Sequence, residues 1–202
     1  MITDLNFLIQ SFKECPIIWK KDYPYFVHPL TDGALPIDPM LITKTSAELT
    51  RLIQQDVTHS NLDMIIAPEA MALPIATLVS LRMDRPFVIG RKRKYSLPDE
   101  IEIKQVTGYS QNLMYINSIR PWMKVIILDD VVSTGGTITA ITDALENIGV
   151  KVLGSYVIAE KDDACKNLQD AGYNVKSLVK IEMGPKGIKS VTPNKFGTRL
   201  TK

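Results

Sequence analysis

The stretch VIILDDVVSTGGTITA, from Val125 to Ala140, carries more information about fold and function than the rest of this chain. It starts with an uninterrupted apolar run that ends at Leu128, which is typical of a parallel strand buried on both faces of a sheet. Asp129 and Asp130 follow directly. The pattern therefore predicts a buried strand with two adjacent carboxylates at its carboxyl end.

The residues after this strand have the composition of an anion-binding loop. Two of them lack side chains and others carry hydroxyl groups, so the backbone can close around an anion at the start of the next helix. The predicted phosphate loop consists of Ser133, Thr134, Gly135, Gly136 and Thr137. The helix is indicated by apolar residues at helical spacing and by a glycine in the C-cap position. These residues are Ile138, Ile141, Leu145, Ile148 and Gly149.

Carboxylates beside an anion-binding loop predict a ligand that carries hydroxyl groups and a phosphate together. Acidic side chains accept hydrogen bonds from vicinal hydroxyls, while loop N–H groups bind the phosphate. A ribose 5′-phosphate has both groups. The alternative is a plain strand-turn-helix unit with solvated carboxylates, but no packing rule requires paired acids there. A P-loop is excluded because the chain has no Gly-Lys-Ser or Gly-Lys-Thr tripeptide, and the dinucleotide fingerprint is missing too.

Length and composition predict one soluble domain. A chain of 202 residues that is 45% hydrophobic can bury a sizeable core, and a net charge of +2 argues against bulk nucleic-acid binding. Cys15 and Cys165 form no C-x-x-C pair, which argues against a disulfide framework or zinc site and favours the cytoplasm. The N-terminal segment indicates an amphipathic helix, and we expect no signal peptide, membrane span or membrane partner.

Helical and strand patterns alternate along the chain, as in α/β proteins with a mostly parallel sheet. After the N-terminal helix, we predict helices at about 39–55, 70–81 and 163–171. The predicted strands lie at 62–67, 86–90, 113–116, 150–159 and 175–181. Two segments have no sustained period and are expected to be irregular, namely 15–39, rich in proline and aromatic residues, and the polar stretch 91–112.

The hydrophobic strand, its two acidic residues and the Thr-Gly-Gly-Thr loop resemble the signature of the type I phosphoribosyltransferases, which bind phosphoribosyl diphosphate. The resemblance implies the fold of that family: one domain with a mostly parallel central sheet flanked by helices, hood elements at about 15–39 and 175–202, and a mobile loop at about 91–112. It also implies Mg²⁺, carried mainly by the donor's diphosphate, and a homodimer. Asp129 and Asp130 are the predicted catalytic residues and would hold the ribose hydroxyls.

A second cluster fits the diphosphate of this donor. Glu69, Ala70 and Met71 leave a strand and enter a helix, where backbone N–H groups can bind an anion. Adenine phosphoribosyltransferases commonly have arginine where this chain has Met71, so the missing charge must come from elsewhere. Arg91 and Lys92, which begin a run of four basic residues, are the predicted source, because departing pyrophosphate needs cations. The alternative is a solvated basic patch.

Lys161 is the predicted determinant of base specificity. It follows the strand after the signature helix, where the hypoxanthine-guanine and xanthine enzymes resemble this chain in having a lysine. A lysine can only donate, so it matches a purine 6-oxo oxygen and mismatches an exocyclic amine. Gly108, before Tyr109, stands where adenine-specific enzymes have a catalytic glutamate. Ser133 stands where the best-known hypoxanthine-guanine enzymes have an aspartate, and serine is a poor acid or base near neutral pH.

Over most of its length the chain most resembles the archaeal-type hypoxanthine phosphoribosyltransferases. The likeness makes Phe26, Val27 and Ile181 candidate walls of the base pocket, although such residues are also ordinary core. His28 is expected to be a structural hydrogen-bonding residue. We therefore expect a purine-salvage enzyme that transfers phosphoribosyl to hypoxanthine or guanine. Adenine or xanthine phosphoribosyltransferase is the alternative, and a non-enzymatic sensor of phosphoribosyl diphosphate is a remoter one, for which the chain lacks a nucleic-acid-binding face.

Overall fold

The computed structural model describes residues 5–21, 23–107 and 110–194. The strands are β1 (Ile17–Lys20), β2 (Tyr23–Phe26), β3 (Met64–Pro68), β4 (Phe87–Gly90), β5 (Ile101–Thr107), β6 (Ser110–Ile116), β7 (Lys124–Val132), β8 (Lys151–Lys161), β9 (Val175–Gly184) and β10 (Gly187–Pro193). The helices are α1 (Asn6–Glu14), α2 (Pro29–Asp32), α3 (Pro39–Gln54), α4 (Ala72–Met83), α5 (Gly136–Asn147) and α6 (Ala164–Asp170), with a 3₁₀ turn at His59–Asn61. None of these helices is both long and apolar enough to cross a membrane.

Six strands form the central sheet, in the order β10-β9-β8-β7-β3-β4. Neighbouring strands run parallel except for β9 and β10, which are antiparallel. One face packs with α1, α3 and α4, and the other packs with α5, α6 and the β5–β6 hairpin. The structure therefore confirms the predicted α/β architecture with a mostly parallel sheet flanked by helices.

The signature strand β7 lies inside this sheet. Its residues from Val125 to Leu128 have no exposed surface, and alternate side chains enter the cores on opposite faces. This explains the uninterrupted apolar run, because both faces of the strand are covered. The strand continues to Val132, so Asp129 and Asp130 lie within its carboxyl-terminal half rather than beyond its end. The predicted boundary was too early because the acidic pair interrupts the apolar run.

The predicted helices are confirmed, with small shifts at their ends. Helix α5 ends at Asn147, and Ile148 is its C-cap with 38% of its surface exposed. Ile148 therefore does not continue the buried stripe that its spacing predicted. Gly149 follows with φ 82°, which is the left-handed conformation expected of a glycine after a helix.

The segment 15–39, predicted to be irregular, contains regular structure. β1 and β2 pair antiparallel, and α2 follows with Pro29 at its first position and Gly33 at its C-cap in the left-handed region, φ 64°. Sequence periodicity missed the hairpin because each strand has only four residues and Pro24 lies inside the second. The hairpin contacts β10, whose Gly187 lies against Ile17.

The polar stretch 91–112 was also predicted to be irregular, but β5 and the first residues of β6 lie in its second half. The register runs from Ile101 opposite Ile116 to Thr107 opposite Ser110. Ile103 is buried at the core beneath α5. At the start of β5 only two isoleucines alternate with charged residues. This alternation is too short to predict a strand. Residues 108 and 109, with Tyr109 of the predicted mobile loop, lie outside the described residues.

The last two strands extend the main sheet. β9 continues three residues past the predicted strand, and β10 returns antiparallel beside it. The portion of 175–202 that the structure describes, assigned above to a hood, is therefore the edge of the central sheet. At this edge β10 contacts both β2 and α1, so the N-terminal hairpin and the C-terminal strand lie together.

Candidate active site

The two predicted catalytic carboxyls lie side by side near the carboxyl end of β7. The Asp130 N–H donates to Asp129 Oδ1 at 2.9 Å. Burial raises the pKa of Asp129 well above the ordinary carboxyl range, and the adjacent charge of Asp130 raises it further. Burial raises the pKa of Asp130 as well. The pair is thus most stable as carboxylates when hydroxyl donors or cations lie next to it.

The predicted phosphate loop and one of these carboxyls line the same small cavity, of about 100 Å³. Gly135 has φ 80°, and α5 begins at the next residue, so the free N–H groups of the first helical turn open at this point. A Cβ on Gly135 would lie 2.6 Å from Leu168 Cδ2. Both the backbone conformation and the space therefore require glycine. The cavity is lined by Asp129, Val131, Val132, Ser133, Thr134, Gly135, Gly136, Thr137 and Ile138.

The predicted diphosphate residues meet the basic run. Glu69 and Ala70, joined by a cis peptide bond, form the turn between β3 and α4. Glu69 Oε1 accepts a hydrogen bond of 2.7 Å from the Lys92 N–H, and Arg91 Nε lies 3.6 Å from Glu69 Oε2. Met71, half-buried, packs against Gly33. Since β3 is a parallel neighbour of both β4 and β7, this cluster lies at the same sheet edge as the carboxyl pair.

Lys161 lies at the end of β8, next to a second and larger cavity. Its ammonium nitrogen is 4.8 Å from the ring centre of Tyr25 and 4.7 Å from that of Phe26. Burial lowers the pKa of Lys161, and the negative charge of Asp32 opposes that effect. The cavity, of about 500 Å³, is lined by Tyr25, Ser133, Thr134, Lys161, Asp162, Asp163, Ala164 and Asn167.

The two cavities adjoin, because Ser133 and Thr134 line both of them. A ligand that spans them would contact the phosphate loop with one end and the Lys161 ammonium with the other. The structure thus brings together the carboxyls, the loop and the lysine that were singled out from separate parts of the sequence.

The three residues predicted as apolar walls of the base pocket differ in how deeply they are buried. Phe26 is 1% exposed and packs edge to face on Phe12, with ring centres 5.8 Å apart. Ile181 is fully buried in the core opposite Lys161 on the neighbouring strand. Val27 is half-buried. Phe26 contacts the Lys161 ammonium with its ring, and Ile181 is the partner of Lys161 in the strand register.

Two residues near Lys161 were not found from the sequence. Tyr25 lines the larger cavity, and its ring stacks on that of Phe26 with centres 5.9 Å apart. Asp32, at the end of α2, accepts the Tyr25 hydroxyl hydrogen bond at 2.7 Å. No spacing rule singles out either residue, because the contact between α2, β2 and β8 depends on the tertiary fold.

The histidines are structural. His28 is fully buried, its Nε2 lies 3.0 Å from Ser11 Oγ, and its Nδ1 accepts from the Leu30 N–H at 3.2 Å. Burial lowers the pKa of His28 to about 4, so the ring is neutral near pH 7. This confirms the structural role predicted for it. His59, for which the sequence suggested no partner, has its Nδ1 2.8 Å from a guanidinium nitrogen of Arg85.

Comparison with known proteins identifies the family of this chain. The family model for the phosphoribosyl transferase domain matches residues 41–190. Hypoxanthine/guanine phosphoribosyltransferase from Ferroglobus placidus is 46% identical over 187 residues, which are 93% of this chain and 97% of the relative. The protein of the same name from Methanothrix soehngenii is 40% identical over 189 residues, 94% of this chain and 97% of the relative.

Among solved structures, adenine phosphoribosyltransferase from Thermoanaerobacter pseudethanolicus has a similar fold. The TM-score is 0.70 at 22% sequence identity, and the match covers 85% of this chain and 99% of that chain. This protein therefore belongs to the phosphoribosyltransferase family and has the type I fold that its signature predicted.

Proposed function

We propose that this protein transfers the phosphoribosyl group of phosphoribosyl diphosphate to a 6-oxopurine, hypoxanthine or guanine, in purine salvage. The products would be the nucleoside 5′-monophosphate and pyrophosphate. The observation that carries the proposal is the pair of adjoining cavities, one lined by Asp129 and the phosphate loop and the other by Lys161. The relatives named hypoxanthine/guanine phosphoribosyltransferase, 46% and 40% identical, support the choice of base.

The donor's ribose phosphate would bind around β7. Ser133 to Thr137 and the first N–H groups of α5 would bind the 5′-phosphate. Asp129 and Asp130 would accept hydrogen bonds from the 2′ and 3′ hydroxyls. Because burial and mutual repulsion raise the pKa of Asp129, two hydroxyl donors would stabilise the charged form of the pair. The same charges would lie near the positive charge that develops on the ribosyl centre.

The diphosphate would bind at the turn formed by Glu69, Ala70 and Met71. Arg91 and Lys92, held beside this turn by Glu69, would stabilise the negative charge of the departing pyrophosphate. The arginine that adenine enzymes commonly have at the Met71 position would thus be replaced by cations from the segment after β4. No covalent nucleophile is needed for this displacement.

Mg²⁺ would accompany the donor, carried mainly by its diphosphate. Within 5–21, 23–107 and 110–194, no group of three or more His, Cys, Asp and Glu side chains is arranged to bind a metal ion. Asp129 and Asp130 nevertheless fit a nearby cation, because a positive charge would offset the repulsion between them. When bound, Mg²⁺ would neutralise charge on the leaving pyrophosphate.

The purine would enter the larger cavity, whose volume of about 500 Å³ is in the range of small-molecule sites. The Lys161 ammonium would donate to the 6-oxo oxygen, with Val27, Phe26 and Ile181 as apolar walls or supports. Among the residues that the structure describes, the ammonium has no hydrogen-bond or ion-pair partner, so its donors are available to a ligand. The exocyclic amine of adenine is itself a donor, so it could not accept a hydrogen bond from the ammonium.

The segment 91–112 would close over the bound donor and exclude water, which could otherwise capture the ribosyl centre. Residues of about 15–39 would form the hood over the base, beside the sheet edge formed by β9 and β10, within one catalytic domain. We further propose a cytoplasmic homodimer whose partners are small-molecule substrates, with neither nucleic acid nor membrane among them. The free cysteines, Cys15 and Cys165, suit a reducing compartment.

A base panel tests this function. Purified protein would be assayed with phosphoribosyl diphosphate, Mg²⁺ and each of hypoxanthine, guanine, xanthine, adenine and orotate. We expect nucleotide formation with the first two bases. Turnover confined to adenine or xanthine would favour the alternative enzymes, and donor binding without turnover of any base would favour a sensor.

A further inference from the structure

Asp32 is a half-buried residue at the end of α2, and its carboxylate accepts three hydrogen bonds. Its Oδ1 accepts from the Tyr25 hydroxyl at 2.7 Å. Its Oδ2 accepts from the His28 N–H at 2.9 Å and from Thr31 Oγ1 at 2.7 Å. Because three donors converge on one carboxylate, its position is closely defined, and so is that of the Tyr25 hydroxyl.

The Tyr25 ring that this hydrogen bond holds lies against a cation of the proposed base site. The Lys161 ammonium is 4.8 Å from the ring centre, and the Lys20 ammonium is 3.7 Å from it. Phe26 supplies a second aromatic ring, 4.7 Å from Lys161. Cations are attracted to aromatic faces at such distances. The position of the Lys161 ammonium is therefore set by two rings, and only Tyr25 is tied to a charged group.

The charges around Lys161 come from four places. Asp32 on α2, Asp130 on β7 and Asp162 after β8 favour its charged form, whereas Lys20 on β1 disfavours it. Asp32 has the largest of the three favourable effects, which oppose a pKa lowered by burial. Burial and the hydrogen bond to Asp32 raise the pKa of Tyr25 to about 12, so its hydroxyl keeps its proton and donates.

We propose that Asp32, acting through Tyr25, is a positioning residue for base specificity: it holds the Tyr25 ring against the Lys161 ammonium and supplies a compensating charge beside it. This inference rests on the proposed transfer to 6-oxopurines and assigns a role to two residues outside the family signature. A rigidly held ammonium offers its donors at one point of the cavity, which favours a base with an oxo oxygen there over one with an amine.

The variant Asp32→Asn tests the charge. In this variant the negative charge is gone, and an asparagine oxygen can still accept from the Tyr25 hydroxyl. The asparagine NH2 group, which cannot accept, would then face the His28 N–H and the Thr31 hydroxyl, so thermal melts accompany the kinetics. Because a lysine donates as an ammonium, loss of a nearby negative charge lowers its pKa and brings its deprotonation to lower pH. We expect the alkaline decline of kcat/KM for hypoxanthine to move down by about one pH unit.

The variant Tyr25→Phe tests the positioning. It keeps the ring and removes the hydroxyl that Asp32 holds. We expect KM for hypoxanthine to rise and the hypoxanthine-to-adenine ratio of kcat/KM to fall by about three- to tenfold, the range of one hydrogen bond. KM for phosphoribosyl diphosphate should stay unchanged, because the donor contacts other residues. A general structural defect would raise both KM values.

The control is Asp170→Asn, which removes an exposed carboxylate at the end of α6 and should leave the pH profile and the base ratio unchanged. A wild-type enzyme that uses 6-oxopurines, combined with an unchanged pH profile in Asp32→Asn and an unchanged ratio in Tyr25→Phe, would overturn this inference alone. No transfer to any 6-oxopurine by the wild type would overturn the proposed function with it. If thermal melts show that Asp32→Asn does not fold, the test rests on Tyr25→Phe alone. An unchanged hypoxanthine-to-adenine ratio of kcat/KM and unchanged KM values in that variant would then overturn the inference.

Discussion

Glu69 and Lys92 are joined by a hydrogen bond of 2.7 Å, in which the Lys92 N–H donates to Glu69 Oε1. Arg91 Nε lies 3.6 Å from the other oxygen of the same carboxylate. One acidic side chain therefore holds the start of the basic run against the turn between β3 and α4. In the proposed reaction this places two cations where pyrophosphate departs.

The acidic pair gives the first prediction. Replacing both Asp129 and Asp130 by asparagine should leave the fold intact and lower turnover by orders of magnitude, because charge-assisted hydrogen bonds contribute roughly 1.5 to 3 kcal/mol each. Thermal melts should show no loss of stability, since the substitution removes a buried repulsion. Steady-state kinetics measure the effect. Wild-type turnover in the double variant would remove these residues from the site.

The phosphate loop gives the second prediction. Gly135→Val should abolish binding of phosphoribosyl diphosphate, because φ is 80° there and the new Cβ would lie 2.6 Å from Leu168 Cδ2. Gly172→Ala is a matched control, with φ 95° and no heavy atom within 4 Å of its added Cβ. Titration calorimetry should find donor affinity lost in the first variant and kept in the second. Equal affinities in both would contradict the loop assignment.

The segment 91–112 gives the third prediction. We expect protease cleavage within this segment to slow when phosphoribosyl diphosphate and Mg²⁺ are both present, because closure over the donor would protect its backbone. Either ligand alone should protect it less. The proportion of cleaved chains can be followed by mass spectrometry. Identical cleavage with and without ligands would mean that this segment takes no part in closing the site.

His28 gives a prediction for stability against pH. The pKa of His28 in the folded protein is about 4, below the ordinary value of 6.5. Between pH 4 and pH 6.5, therefore, this side chain binds a proton more readily in the unfolded chain than in the folded one. The stability that neutral His28 contributes is therefore complete above pH 6.5 and is lost as pH falls toward 4. The difference in unfolding free energy between wild type and His28→Asn should shrink from pH 7 to pH 5. Denaturant titrations measure it, and a constant difference would contradict the assignment.

Local patterns predicted much of this fold and singled out several residues that the structure brings together at the candidate site. The run from Val125 to Leu128 could be recognised because burial on both faces of the sheet allows only apolar residues there. The glycines of the phosphate loop could be recognised because the backbone geometry of the loop favours residues without a side chain. Strand β5 was missed because Ile101 and Ile103 are too few to establish a period, whereas the predicted strand at 113–116 forms the second half of β6. Ile148 was expected to lie within the helix but is its C-cap instead.

Contacts between distant segments could not be predicted in this way. Tyr25 meets Lys161 only because β2 and the end of β8 come together in the fold. Asp32 could not be predicted for the same reason, because its hydrogen bond to Tyr25 depends on α2 lying beside β2. Phe26 and Ile181 were expected at the base, and the burial of both side chains follows from packing that no spacing rule describes.

The most direct test of the proposed function concerns Lys161. The measurement is the ratio of kcat/KM for hypoxanthine to that for adenine, in the wild type and in Lys161→Leu. We expect a wild-type preference for hypoxanthine, and a ratio that falls by about ten- to a hundredfold in the variant, because a partly desolvated hydrogen bond to the 6-oxo oxygen is lost and the donor facing the adenine amine is removed. A wild-type preference for adenine, or a ratio that the substitution leaves unchanged, would contradict the assignment of the base.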